Sequence, residues 1–376
     1  MRSLSYVSAL LACVFLGGLG ALTIANILDG PGSDRQEREA ATPSIPTRLS
    51  ELPGFLSGAR FYATERYALK EEFITTNGIV KMGAFAHSPA TTVMLGKDGY
   101  LFLDTPETIA GAQGQGRFDA DDLARWTAHF SSTQQAFADA GLSYTFVIGP
   151  NKHSIYPEKT PDWLDVRPLD ATRSADVMQA ARTVFPDSFV DTRRLLADAC
   201  VTAPDVALHH PTDTHWTEWG AAITLHTALL PLGFDLPAPQ FEITDLVRSG
   251  DLARMVGQQS RWKAKAPVLP RGWTCEGSNG DAIDVVTIDP LMPSRFSCGT
   301  ADGRPEKLVV FMDSFGISAI PYLAARFRSV DFLWTDTADP MVAVDLGADH
   351  VLQILVERKM MTDTPESFLA QKAPLQ

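Results

Sequence analysis

The sequence predicts an α/β protein with a mostly parallel sheet and helices on both faces. Two observations carry this expectation. From about residue 90, short apolar runs of strand character alternate with amphipathic helical stretches, the pattern of successive strand–helix–strand units. The 376 residues are 45% apolar and 20% charged, which suits one large or two modest globular domains.

The elements follow in chain order. Arg2 precedes an apolar run from Val7 to Leu28, long enough to span a bilayer at about 20 residues. It exceeds the usual length of a cleaved leader, so residues 1–28 are expected to form a signal anchor. Charge before the span and acidic residues after it (Asp29, Asp34, Glu37, Glu39) place the remainder outside the cytoplasm. The expected location is the inner membrane, single-pass, with the folded domain in the periplasm. Residues 29–58 carry Gly30, Pro31, Gly32, Pro43, Pro46, Pro53 and Gly54 and are expected to be a mobile tether. The domain proper is expected over 59–376.

Asp119 can cap a helix whose apolar face is Leu123, Trp126, Phe130 and Phe137, ended by Gly141. Tyr144 to Ile148 is expected as a buried strand that breaks at Gly149-Pro150-Asn151-Lys152-His153. A helix over Ala171–Val184 and a short strand over Phe189–Asp191 follow. A further helix is expected over Thr217–Leu230. Leu308–Met312 is expected as a strand, Phe315–Phe327 as a helix, and Val330–Trp334 and Val351–Val356 as strands. Sites in such sheets form at the carboxyl ends of strands, where Asn151 and Ser314 both fall.

Lys+Arg 32 against Asp+Glu 45 gives a net charge of −13, a poor match to general nucleic-acid binding. No nucleotide or coenzyme A motif is visible, and no cofactor is expected. Of four cysteines, Cys13 lies in the apolar N-terminal run. Cys275 and Cys298 flank a stretch rich in Gly, Pro, Ser and Asp, and an oxidising compartment would join them. Cys200 follows Leu195, Leu196 and Ala199 and reads as a buried thiol.

Two short segments carry the chemistry. Asp213 and His215 are two apart, so in extended backbone they share a face, and the carboxylate could hold the imidazole tautomer. Ser314 follows an apolar strand, where a hydroxyl would meet the free N–H groups of a helix start. Together these make a serine nucleophile, a histidine base and an orienting carboxylate. Each has a plainer reading. Ser314 and Asp213 could merely cap helices, and Trp216 and Trp219 could be packing rather than sugar platforms. His209, His210, Asp213 and His215 also hold enough nitrogen and oxygen for a divalent metal. The segment contains Pro211 and no helical i, i+4 pair, so no metal site is assigned.

Five ordered segments resemble the AlgJ/AlgX-type polysaccharide (alginate) O-acetyltransferases, a family with an SGNH-hydrolase-like domain. They are Gly96-Lys97-Asp98-Gly99-Tyr100-Leu101-Phe102-Leu103, then Gly149-Pro150-Asn151-Lys152 running to Ile155-Tyr156-Pro157-Glu158. Asp213-Thr214-His215-Trp216, Gly250-Asp251-Leu252 and Asp313-Ser314-Phe315 complete the series. The resemblance implies Ser314 as acylated nucleophile, His215 as base and Asp213 as its orienting carboxylate. It leaves Asn151, Lys152, Tyr156 and Trp216 as candidates for lining the acceptor pocket. One departure stands out: Met312 occupies the position of the family's glycine before Asp-Ser. The implied partners are a polysaccharide acceptor and a membrane-bound O-acyltransferase supplying acetyl groups. The alternatives are a carbohydrate acetyl-esterase of the same fold, a metal-dependent hydrolase using the His209–His215 cluster, and a silent scaffold of an export complex.

Overall fold

The computed structural model describes residues 44–46, 48–65, 70–186, 189–245, 250–259, 261–262, 265–283 and 294–362. The chain divides into two compact units, Met1–Phe85 and Ala86–Gln376. In the first, the described α-helices are Leu52–Glu65 and Lys70–Phe85. Residues 52–58, read above as tether, therefore belong to a helix, and the unit that holds the sheet begins at Ala86 rather than at residue 59. Pro53 lies in the first turn of that helix, where its missing N–H would have no partner anyway.

The expected anchor over residues 1–28 lies outside the described residues. Among the described residues, no helix is long and apolar enough to cross a membrane. The single-pass inner-membrane placement expected from the sequence is corrected on that finding.

Among the described residues of the second unit there are ten strands: β1 (Val93–Leu95), β2 (Leu101–Leu103), β3 (Ser143–Gly149), β4 (Glu242–Asp245), β5 (Lys265–Val268), β6 (Thr274–Gly277), β7 (Arg295–Gly299), β8 (Leu308–Met312), β9 (Val330–Trp334) and β10 (His350–Val356). Six of them form the central sheet in the order β3-β10-β8-β9-β7-β6. The first four are mutually parallel, and β7 and β6 extend the sheet antiparallel. β1–β2 and β4–β5 are separate antiparallel pairs.

Alternation along the strands explains the two covered faces. Leu308, Val310 and Met312 join Leu352, Ile354, Val330 and Phe332 under the helix Glu218–Leu229 and the segment Ser314–Ala324. Val309 and Phe311 point the other way, with Phe146, Val351 and Leu355, against Trp126, Phe130 and Phe137 of the helix Ala120–Asp139. Strands buried on both faces are continuously apolar, which is why β8 reads Leu-Val-Val-Phe-Met. Each such side chain contributes roughly 1.5–3 kcal/mol by leaving water.

Local signals mostly hold. Asp119 caps its helix with Asp122 reciprocating, and Gly141 takes φ +74° just past its end. Two expected elements differ. Phe189–Asp191 is not a strand; Asp191 instead caps a helix Thr192–Thr202 by accepting the Arg194 N–H. The helix expected over Phe315–Phe327 is a 3₁₀ turn Ser314–Ala319 running into a short α-helix Ile320–Ala324, with Pro321 in its first turn.

Cys275 and Cys298 face each other across the β6–β7 ladder and are joined in a disulfide. It closes a loop of 23 residues, which in the loop-entropy account is worth about 3 kcal/mol. Cys298→Ser is expected to lower unfolding stability by about that amount in non-reducing denaturant titration; an unchanged midpoint would contradict it.

Candidate active site

The turn after β8 disposes of the plainer reading of Ser314. Asp313, not Ser314, caps the turn that follows: its Oδ1 accepts the Phe315 N–H at 2.9 Å and its Oδ2 the Val356 N–H at 2.8 Å. Burial pushes the Asp313 carboxyl up, while these N–H groups and Lys359 draw it back. The Ser314 hydroxyl is thus not spent on capping, and the residue is partly exposed at the carboxyl end of β8. Met312 is accommodated by Gly316. A Cβ on Gly316 would lie 2.3 Å from Met312 Sδ and 2.4 Å from its Cβ. The glycine four residues on leaves the room that Met312 fills.

Asp213 is likewise free of a capping role. The helix Glu218–Leu229 is capped by Thr217, whose Oγ1 accepts the Gly220 N–H at 3.2 Å. Asp213 Oδ1 instead accepts from His215 Nδ1 at 2.6 Å and from the His215 backbone N–H at 2.9 Å. This fixes the tautomer with the proton on Nδ1. His215 Nε2 is buried and has no hydrogen-bond partner among the described residues. Burial opposes a charge on His215, but the Asp213 charge and hydrogen bond, with Asp251 behind, hold its pKa above the ordinary value. Burial also opposes ionisation of Asp213, yet His215, His210 and the His215 N–H together hold it far below the ordinary carboxylate range.

Three contacts stitch the histidine loop to the serine turn. Trp216 Nε1 donates to the Phe315 carbonyl at 2.8 Å, Ser318 Oγ donates to the Trp216 carbonyl at 3.0 Å, and the His215 and Phe315 rings lie 5.1 Å apart. The Asp213–His215 loop and the Ser314 turn, about a hundred residues apart in sequence, therefore lie on neighbouring segments. Ser314 Oγ and His215 Nε2 are not hydrogen-bonded to each other; such bonds commonly tighten only when substrate arrives.

The four residues expected to line an acceptor pocket are engaged otherwise. Trp216 is fully buried. Tyr156 is buried, and its hydroxyl accepts the Leu208 N–H at 2.9 Å. Asn151 is buried, and its backbone N–H donates to Glu357 Oε2 at 2.7 Å. Lys152 Nζ donates to the carbonyls of His210, Pro211 and Asp213 at 3.0, 2.9 and 2.7 Å. Three acceptors match the three donors of an ammonium. Burial pushes its pKa down to about 7, against the pull of Asp213 and Asp251. Lys152 is a clamp on the histidine loop. Trp219 packs on Phe241 at 4.4 Å between ring centres.

The metal-binding alternative loses its first histidine. His209 is fully buried and its Nε2 donates to the Pro150 carbonyl at 2.9 Å. Among the described residues, the groups close enough to share an ion are Asp213, His215 and Asp251.

Glu357 and Arg358, which the sequence reading did not single out, lie beside the candidate site. Glu357 is fully buried and accepts from Asn151, Ser154 and Ser174, fixing the turn after β3. Arg358 places its guanidinium 5.5 Å from the Phe315 ring centre, within the fields of Asp213, Asp251 and Asp313. Their signal was position: Glu-Arg-Lys follows directly on the last strand's carboxyl end.

Residues 93–278, nearly half of the chain, match the family model described as "SGNH hydrolase-like domain, acetyltransferase AlgX". The match includes Asp213, His215 and Asp251 and stops before Ser314. No curated protein matches the chain. Among solved structures, Bacillus cereus PatB1 is 11% identical with a TM-score of 0.50, covering 72% of this chain and 97% of its own. A DHHW family protein from Eubacterium siraeum is 14% identical with a TM-score of 0.47, covering 73% and 98%. The O-acetyltransferase domain of Pseudomonas putida AlgJ is 15% identical with a TM-score of 0.42, covering 72% and 93%. At these identities the PatB1 likeness speaks to a shared fold alone.

Proposed function

The chain belongs to the AlgJ/AlgX-type family through its SGNH-hydrolase-like domain, and on that premise we propose that it O-acetylates a polysaccharide through an acetyl-serine at Ser314. The observation that carries this reading is the His215 imidazole, oriented by Asp213 at 2.6 Å with a buried, unengaged Nε2, on a loop stitched to the Ser314 turn.

Ser314 Oγ attacks the acetyl carbonyl carbon as its proton passes to His215 Nε2. The bond from that carbon to the donor's leaving oxygen breaks, and the leaving group takes the proton from His215. A sugar hydroxyl then attacks the acetyl-serine and gives its proton to His215. The Oγ–carbon bond breaks and His215 returns the proton to Ser314. Asp213 remains ionised and stabilises the imidazolium at each step. Water can replace the sugar, so transfer depends on holding the acceptor hydroxyl in place, where effective molarities reach roughly 10⁵ M. A membrane-bound O-acyltransferase is the proposed source of acetyl groups. The Cys275–Cys298 disulfide suits an oxidising compartment.

Incubation with a small activated acetyl ester, with and without exopolysaccharide oligomers, tests the reading. Acetylated saccharide is expected in preference to free acetate, and chelator is expected to leave the rate unchanged. Fast ester turnover with no saccharide capture would identify an esterase instead. Loss of activity in chelator, restored by zinc, would favour a metal-dependent hydrolase.

A further inference from the structure

The Gly250-Asp251-Leu252 segment has no part in the proposed triad, yet it lies directly against the histidine loop. The approach is backbone to backbone. A Cβ on Gly250 would lie 2.1 Å from the Thr212 carbonyl oxygen and 2.6 Å from Asp213 Cβ. The Ala253 N–H donates to the same Thr212 carbonyl at 3.0 Å.

Asp251 then bonds Asp213 and Thr214 and lies beside His215. Its backbone N–H donates to Asp213 Oδ2 at 2.9 Å, which leaves Oδ1 for the imidazole. Its own Oδ1 accepts the Thr214 N–H at 2.8 Å and the Leu252 N–H at 2.7 Å. Its Oδ2 accepts the Thr214 hydroxyl at 2.5 Å and lies 3.9 Å from His215 Nδ1. Three donors converge on this carboxyl, the company of its ionised form.

We propose that Asp251 is the positioning residue of this site: it locks the Asp213-Thr214-His215 loop in its working geometry and sets a second negative charge beside the imidazole. The inference rests on His215 being the base. The backbone N–H holds Asp213 Oδ2 whatever the side chain, but without the Asp251 carboxylate the Thr214 N–H and hydroxyl lose their acceptor and the loop between Asp213 and His215 is released. Without its charge, the imidazolium formed during transfer would be less stable.

Among the described residues, charged groups reach His215 from its own loop, from two other segments, and from Lys152, whose Nζ donates to the Asp213 carbonyl at 2.7 Å. Asp213 lies on its own loop, with His209 and His210 close by. Asp251 lies on the turn into the short helix Asp251–Met255. Arg358 lies beyond β10 and opposes protonation. Both carboxylates raise the imidazole pKa. Burial and the Asp213 charge push Asp251 itself up, and His215 and the Thr214 donors counter them. A base whose pKa is raised becomes neutral only at higher pH, so removing the Asp251 charge should extend activity to lower pH.

The test is a histidine-labelled NMR titration of His215 beside pH profiles of kcat/KM, on the full chain and on D251N, D251A and D213N. D251N keeps the shape and removes the charge. It should lower the His215 midpoint and move the acid limb of the profile to lower pH in parallel. D251A should lower kcat by about 100-fold, the scale of a displaced catalytic group. In D213N, burial outweighs the remaining Asp251 charge, and the midpoint should fall below that of an ordinary histidine. An unchanged midpoint and acid limb in D251N would overturn the proposal. If D251N does not fold, D251A carries the same titration, and a His215 midpoint no lower than the parent's would overturn it. The titration needs no turnover, so an active Ser314→Ala enzyme would sink the acetyl-serine reading and leave the Asp251 result standing.

Discussion

Ser314→Ala is expected to lower acetyl transfer by at least about 10⁴-fold while leaving stability close to the parent. The loss is large because no other hydroxyl on this turn is set beside the histidine loop in the same way. Ser318, four residues on, spends its hydroxyl on the Trp216 carbonyl. The stability is spared for an equally local reason. Asp313 caps the turn, so deleting the Ser314 hydroxyl orphans no helix N–H. Side-by-side activity and thermal unfolding of purified variants test both halves. A stable, active alanine variant would remove Ser314 from the chemistry, and a grossly unfolded one would mean that the hydroxyl is structural.

Asp213→Asn is expected to cost about 10⁴-fold in kcat, because an amide cannot hold the Nδ1-protonated tautomer as a carboxylate does. This variant also has a signature in stability. His215 has a raised pKa in the folded state, so its share of the pair's attraction is fully present below the ordinary 6.5 and fades as pH rises through the folded value. Asp213 has a depressed pKa, so its share is present above the ordinary 3.8 and fades only in stronger acid. The stability difference between parent and variant should therefore be widest between those two values. Activity runs the other way, since the base must be neutral and catalysis should rise as the pair's attraction weakens. Denaturant titrations extending below and above that window check the claim; a difference that does not shrink on either side of it would contradict it. Asp213→Ala should be less stable than the asparagine variant. It orphans three donors, His215 Nδ1–H and the N–H groups of His215 and Asp251, at roughly 1–3 kcal/mol for each that stays buried.

Much of this was legible before any coordinates. The four parallel strands are short apolar runs that only a doubly covered sheet can satisfy, and β8 was located residue for residue. The helix Ala120–Asp139 announced itself by Asp119, its apolar face and Gly141. Where the reading failed, tertiary demands outweighed local pattern. Phe189–Asp191 looked like a strand because an aromatic and a β-branched residue stand together, but Asp191 was already a capping residue. Asp213, His215 and Ser314 are singled out by recognisable short contexts, and the structure brings their two segments side by side. Their supporting shell was not. Lys152 and Tyr156 looked like pocket residues because polar side chains in a turn usually face solvent. Here the histidine loop folds back over them and takes up their hydrogen bonds. Asp251 was legible only as a motif, because its role depends on a backbone approach 38 residues away from Asp213 that no local pattern encodes.

The central claim is a covalent one, and mass spectrometry tests it most directly. The protein is mixed with an activated acetyl ester, quenched in acid within a turnover, and digested. One acetyl group should appear on Ser314, within the peptide spanning the β8 turn. It should be lost on adding acceptor saccharide before the quench, and it should be absent from Ser314→Ala. Turnover without acetyl on Ser314 at any time point, or acetyl on Ser314 that acceptor never removes, would contradict the account.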